Sequence, residues 1–271
     1  MSMKTTTTTP PLPSEKSEAP VIAAPQVPDA GRKRRWALSL ARSYSRRALR
    51  RRFEAVYVEG LEETRALARA TPLVFAANHT SWWDAFALLA LDDALGTDGY
   101  VLMDEAHLRR LSFFAPLGAL PLARDDALAA RRQLLTATRL LDQPGRALWI
   151  FPQGEQRPAH LRPLGFRAGV RLLMNQAHCP VVPVAITPIW RNRPEPALFI
   201  HLGAPVSPST EKSAVVRSLE ESVAAGLARL DVLAAGDVPL PPALLRGSGR
   251  SAEDGIAAWL LARLTQPKPR P

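Results

Sequence analysis

From Phe53 to about residue 234 the chain alternates short apolar runs with longer segments of helical periodicity, and this alternation restricts the fold more than any other feature. The runs 54–58, 73–77, 99–103, 146–151, 181–187 and 197–202 are apolar and of strand length. Between and after them, segments 61–69, 82–94, 125–142, 166–177 and 210–234 have helix length and amphipathic spacing. Strands that are apolar throughout need cover on both faces, and intervening helices supply it. The pattern therefore predicts an α/β fold: a single layered domain, residues 53–235, with a mostly parallel central sheet flanked by helices.

The flanks differ in kind. Residues 1–31 hold six prolines, a threonine run from Thr5 to Thr9 and few large apolar side chains, which predicts a disordered tail. Between Arg32 and Arg52 lie ten basic residues and no acidic one. The chain's net charge is +10, so everything outside this segment sums to zero. Trp36, Leu40, Tyr44 and Ala48, four apart, share one face of a helix, which makes 32–52 a basic amphipathic helix. Residues 236–271 read as a Pro/Gly-rich extension with a short helix near 252–264.

A single cysteine, Cys179, excludes a disulfide framework and any multi-cysteine zinc site, which points to a reducing compartment. The longest stretch without Asp, Glu, Lys or Arg is 172–190, and three prolines make it a poor membrane span. No continuous apolar leader occurs in the first thirty residues. The expected location is the cytosol or the cytoplasmic face of a membrane.

Four segments stand out. In Ala77-Asn78-His79-Thr80-Ser81-Trp82-Trp83-Asp84 a buried strand gives way to a helix, so His79 falls in a strand-to-helix turn, where ligands of α/β proteins lie. Asp84, on the first helical turn, either steers the imidazole as the partner of a general base or closes a capping box with Ser81. Phe151-Pro152-Gln153-Gly154-Glu155-Gln156-Arg157 carries polar residues on a loop at a strand end, either a ligand loop or an ordinary turn. Gly118 to Arg124 ends an apolar stretch at an arginine, which either binds an anion or pairs with the acidic helix start that follows. Pro180-Val181-Val182-Pro183-Val184-Ala185-Ile186 reads as a core strand.

Taken in order, these segments resemble the glycerolipid acyltransferase family, whose pattern is Asn-His-x4-Asp, Gly-x5-Arg, Phe-Pro-Glu-Gly-Thr-Arg and then a Pro-rich apolar strand. The resemblance spans 72–187. It implies that His79 is the catalytic base and Asp84 its partner. Arg124 and the 153–157 loop (Gln153, Gly154, Glu155, Arg157) would bind the acceptor or its phosphate. Members take acyl groups from coenzyme A or acyl carrier protein at membranes, with no bound cofactor or metal. Four positions depart from the pattern: Gln153 replaces glutamate, Glu155 stands at the usual threonine, Gln156 at the usual arginine, and Ala123 replaces the acidic residue before Arg124.

The expected reaction is acyl transfer from a thioester to a lysophospholipid-like hydroxyl, with the amides opening the helix after His79 as oxyanion donors. The 32–52 helix would lie on an anionic membrane surface. Two alternatives use the same dyad: acylation of a hydroxylated lipid without phosphate, and thioester hydrolysis. A third, nucleic-acid binding through the arginine-rich arm, sits poorly with a remainder of zero net charge, only three tyrosines and no nucleic-acid module. Gly247-Ser248-Gly249-Arg250-Ser251-Ala252 fits a dinucleotide fingerprint in letters but lies in the Pro-rich tail, where the sequence leads one to expect no preceding strand.

Overall fold

The computed structural model describes residues 32–206 and 214–248. The readings made above for 1–31 and for a helix near 252–264 lie outside the described residues. Strands run β1 (Ala55–Glu59), β2 (Leu73–Ala77), β3 (Asp98–Asp104), β4 (Ala119–Leu122), β5 (Arg146–Ile150), β6 (Val181–Ile189), β7 (Ala197–Leu202) and β8 (Ala243–Arg246). Helices run α1 (Arg35–Arg52), α2 (Leu61–Ala70), α3 (Trp83–Leu95), α4 (Glu105–Arg110), α5 (Ala127–Thr138), α6 (Gly169–Ala177) and α7 (Ala214–Ala235), with a 3-10 turn at Ser112–Leu117.

One sheet holds all eight strands in the order β4-β3-β5-β2-β6-β7-β1-β8. The five from β4 to β6 are parallel; β7 runs against β6, β1 follows β7, and β8 closes the edge antiparallel to β1. Side chains alternate across the sheet with period two, so each central strand feeds two cores. Val74 and Ala76 of β2 pack with Leu134 of α5, Leu173 of α6 and Leu219 and Leu227 of α7. Leu73, Phe75 and Ala77 pack on the other face with Leu49 of α1, Ala68 of α2 and Leu88 and Leu91 of α3. On that second face Phe75 and Trp149 stack, ring centroids 4.1 Å apart.

The basic helix α1 lies docked on this domain. Its Leu49 is fully buried, and Ser45 Oγ donates to the carbonyl of Phe86 in α3 at 2.6 Å. Lys33 pairs with Asp98 at the start of β3, and Arg46 pairs with Asp93 of α3. Trp36, Leu40 and Tyr44 stay exposed, so the docked side of the helix is the Ser45–Leu49 side. Beyond residue 235 the chain adds β8, a four-residue edge strand, Ala-Leu-Leu-Arg, with only partial burial and too short for a periodic pattern. Among the described residues no helix is long and apolar enough to cross a membrane.

Candidate active site

Because β4, β3, β5, β2 and β6 are parallel, their carboxyl ends share one edge of the sheet. The segments after β2, β5 and β4 carry His79, the 153–157 loop and Arg124, so the topology brings all of them to that edge.

At the end of β2 the ladder is continued by side-chain amides. Asn78, buried, donates from Nδ2 to the carbonyl of Ile186 at 2.9 Å and accepts its N–H at Oδ1 at 2.8 Å. Gln153, 3% exposed, accepts the N–H of His79 at Oε1 (2.6 Å) and donates from Nε2 to the carbonyl of Leu164 (3.1 Å). The carbonyl of His79 takes the N–H of Arg157 at 2.8 Å. The His79 turn thus leaves the sheet with its backbone paired.

Asp84 is 0% exposed, and its Oδ2 lies 2.7 Å from Nδ1 of His79. The same oxygen accepts the amides of Thr80 (2.7 Å) and Ser81 (3.0 Å), while Oδ1 accepts their hydroxyls at 3.1 and 3.3 Å. One carboxylate therefore bonds both the helix start and the imidazole. With Oδ2 acting as acceptor toward every neighbour, the proton between it and the ring belongs to Nδ1, and Nε2 carries the lone pair. Phe151, leaving β5, stacks on the imidazole with centroids 4.2 Å apart. The ring is quarter-exposed.

Four of the amides expected to serve an oxyanion are engaged elsewhere. Those of Thr80 and Ser81 donate to Asp84, that of Trp83 to Ser81 Oγ at 3.2 Å, and that of Asp84 to the carbonyl of Ser81. The buried carboxylate thus takes two of the N–H groups at the helix start and Ser81 takes two more.

Arg157 folds back, its Nη1 donating to the carbonyl of Leu164 at 2.8 Å. Gly154 and the exposed Glu155 form the crest of the loop. Gly154 has φ +73°, and a Cβ there would stand 3.0 Å from Nε of Arg167, so the glycine lets this exposed guanidinium lie against the loop. No motif in the sequence points to Arg167; it reaches the loop because its N–H donates to the carbonyl of Pro152 at 2.9 Å. Arg124 lies on the segment after β4, 3.9 Å from Asp104 and three strands from β2, a lateral distance of about 14 Å at ordinary strand spacing. The acidic pair after it does not bind it: Asp126 caps α5 by accepting from Leu128 and Ala129.

Among solved structures, the 1-acyl-sn-glycerophosphate (LPA) acyltransferase PlsC from Thermotoga maritima superposes with a TM-score of 0.55 at 21% identity, over 72% of this chain and 79% of that one. At that identity the likeness concerns the fold. No curated protein matches the sequence. A family model described as Acyltransferase matches residues 55–187, from the first strand through the Pro-rich strand β6 and including His79, Asp84, Arg124 and the 153–157 loop. On the ordered motifs, the fold and this match, the chain belongs to the acyltransferase family.

Proposed function

We propose that this acyltransferase moves a fatty acyl group from a thioester, on coenzyme A or on a carrier protein, to the hydroxyl of a lysophospholipid-like acceptor. Nε2 of His79 takes the hydroxyl proton as the oxygen attacks the thioester carbonyl carbon. Asp84 holds the ring and offsets the charge of the imidazolium. When the tetrahedral adduct collapses, the carbon–sulfur bond breaks and the imidazolium returns its proton to the leaving thiolate. No enzyme nucleophile takes part. Cys179 is buried and its thiol is pushed up to about 11 by desolvation, which suits a core side chain.

The observation that carries the reading is the 2.7 Å pair of His79 Nδ1 and Asp84 Oδ2 at the carboxyl edge of a parallel sheet. A similar fold occurs in PlsC of Thermotoga maritima, whose name gives 1-acyl-sn-glycerophosphate as its acceptor, and that favours a lysophospholipid here.

The reaction is set at an anionic membrane surface, on its cytoplasmic face. In support, Trp36, Leu40, Tyr44, Trp82 and Phe113 are each 50–68% exposed. Rings from Tyr44 through Phe86, Trp82 and Phe114 to Phe113 follow one another at centroid distances of 4.3–6.4 Å. An aromatic band of this kind, beginning three residues from His79, suits the boundary between headgroups and acyl chains. Arg35, Arg42, Arg46 and Arg50 of α1, two of them paired with Asp93, line an open groove of about 920 Å³ whose excess positive charge suits phosphate headgroups.

Lipid mass spectrometry of a host expressing the wild type or His79→Ala tests the function. New acylated lipid with the wild type alone supports transfer; release of free fatty acid instead would redirect the reading to hydrolysis.

A further inference from the structure

Gln153 stands where the resembled family carries glutamate, and its surroundings ask for something an ionised carboxylate lacks. The amide of His79 offers a proton, whereas the carbonyl of Leu164 offers only lone pairs. One group bridges the two only if it accepts at one end and donates at the other. A carboxamide does both, and at 3% exposure there is no ready exchange with solvent.

We propose that Gln153 is a positioning residue for His79, fixing the catalytic turn to the 164–166 segment rather than contacting the acceptor. The proposal rests on the reading of His79 as the base. Further bonds make the bridge stiff. Arg157 donates its N–H to the carbonyl of His79 and its guanidinium to the carbonyl of Leu164, both at 2.8 Å. Glu220 of α7 accepts the amides of Gly165 and Phe166 at 2.9 and 3.0 Å, which ties that segment to a long helix. His79 is therefore held at its amide by Gln153, at its carbonyl by Arg157, at Nδ1 by Asp84 and across its ring by Phe151.

Two variants of the full chain test this, Gln153→Met and Gln153→Glu. Activity is followed with oleoyl-coenzyme A and 1-oleoylglycerol-3-phosphate, and amide hydrogen exchange at His79 by NMR. Gln153→Met keeps the length and loses both bonds; kcat falls roughly 10–100-fold with acceptor KM within about threefold, and exchange at His79 quickens at least about tenfold. Gln153→Glu carries a distinct signature. A protonated carboxyl repeats the amide's pattern, donating to Leu164 and accepting from His79, and the ionised form does not. Its kcat relative to wild type therefore falls about tenfold or more between pH 5 and pH 9.

A raised acceptor KM with kcat retained would overturn the proposal and make Gln153 a substrate contact. Parallel pH profiles together with unchanged exchange would also overturn it. Should His79→Ala remain fully active, the base assignment fails, yet exchange at His79 still decides whether Gln153 anchors the turn.

Discussion

Asp84 Oδ2 lies 2.7 Å from His79 Nδ1 and, through the same atom, accepts the amides of Thr80 and Ser81. In the proposed reaction, one carboxylate so placed ties turnover to stability. Asp84→Ala strands two backbone amides and two hydroxyls of the half-buried Thr80 and Ser81 around a carboxylate that is itself 0% exposed, a loss of about 3 kcal/mol. His79→Ala removes a quarter-exposed ring and leaves those donors paired, so its melting temperature stays within a few degrees of wild type while transfer falls about 10²–10⁴-fold. Calorimetry and turnover on both variants check this. An Asp84→Ala protein as stable as wild type contradicts the shared role.

The strands and helices of the sheet were legible because burial leaves a periodic mark, as in β2, where Leu73, Phe75 and Ala77 face one core and Val74 and Ala76 the other. β4 and β8 left no such mark. β4 is four residues with a proline, and β8 is a half-exposed edge whose ladder depends on β1, nearly two hundred residues earlier. The row Trp36-Leu40-Tyr44 was legible as apolar, but not that Ser45 and Leu49 would form the docked side, since that depends on the shape of α3. Motif order located His79 and Asp84. It could not reveal that Gln153 and Arg157 turn inward, because their partners are backbone atoms of residues remote in sequence or in an irregular loop, with no local pattern.

Asp92 of α3 is buried with its Oδ1 accepting from Trp149 Nε1 at 2.9 Å and Thr97 Oγ1 at 2.7 Å. Desolvation pushes its carboxyl up to about 6, against the opposing pull of these bonds and of Lys33 and Arg42. As pH rises, the unfolded chain releases this proton near 3.8 and the folded chain only near 6, so Asp92 lowers stability across that window and keeps it lower above. The cost at pH 7 is on the order of 3 kcal/mol. Asn at this position keeps an acceptor for both donors. Urea melts should find Asp92→Asn more stable than wild type at pH 7 and the gap narrowing toward pH 4. A gap that widens on acidification refutes the sign.

Deleting residues 1–52 is a poor test of membrane attachment, because Leu49 belongs to the core and Lys33 anchors β3. Substituting the exposed side chains avoids this. With Trp36, Leu40 and Tyr44 all changed to Ser, the fold should persist while flotation with anionic vesicles falls about 100-fold or more, given roughly 1.5–3 kcal/mol for each large apolar side chain withdrawn. Replacing Arg47 and Arg51 by Gln should weaken binding chiefly at low salt, at about 1 kcal/mol per charge. Unchanged flotation of the triple variant would remove this helix from the membrane contact.

Arg124 shares the carboxyl edge with His79 but stands three strands away, 3.9 Å from Asp104. Arg157, the other guanidinium expected to meet an anion, is turned onto the carbonyl of Leu164. If Arg124 holds the acceptor's phosphate, its removal deletes a charge-assisted bond worth about 1.5–3 kcal/mol, roughly 10–100-fold in kcat/KM. That loss should appear with 1-oleoylglycerol-3-phosphate and be absent with 1-oleoylglycerol, which lacks the anion. Equal losses with both would assign Arg124 to holding Asp104 and α4 in place. Retained preference for the phosphorylated acceptor in Arg124→Ala would move the anion to Arg167, which lies against Gly154. The double variant Arg124→Ala/Arg167→Ala then separates a shared phosphate site, where the second substitution adds a further loss with the phosphorylated acceptor alone, from a loop effect that lowers turnover of both.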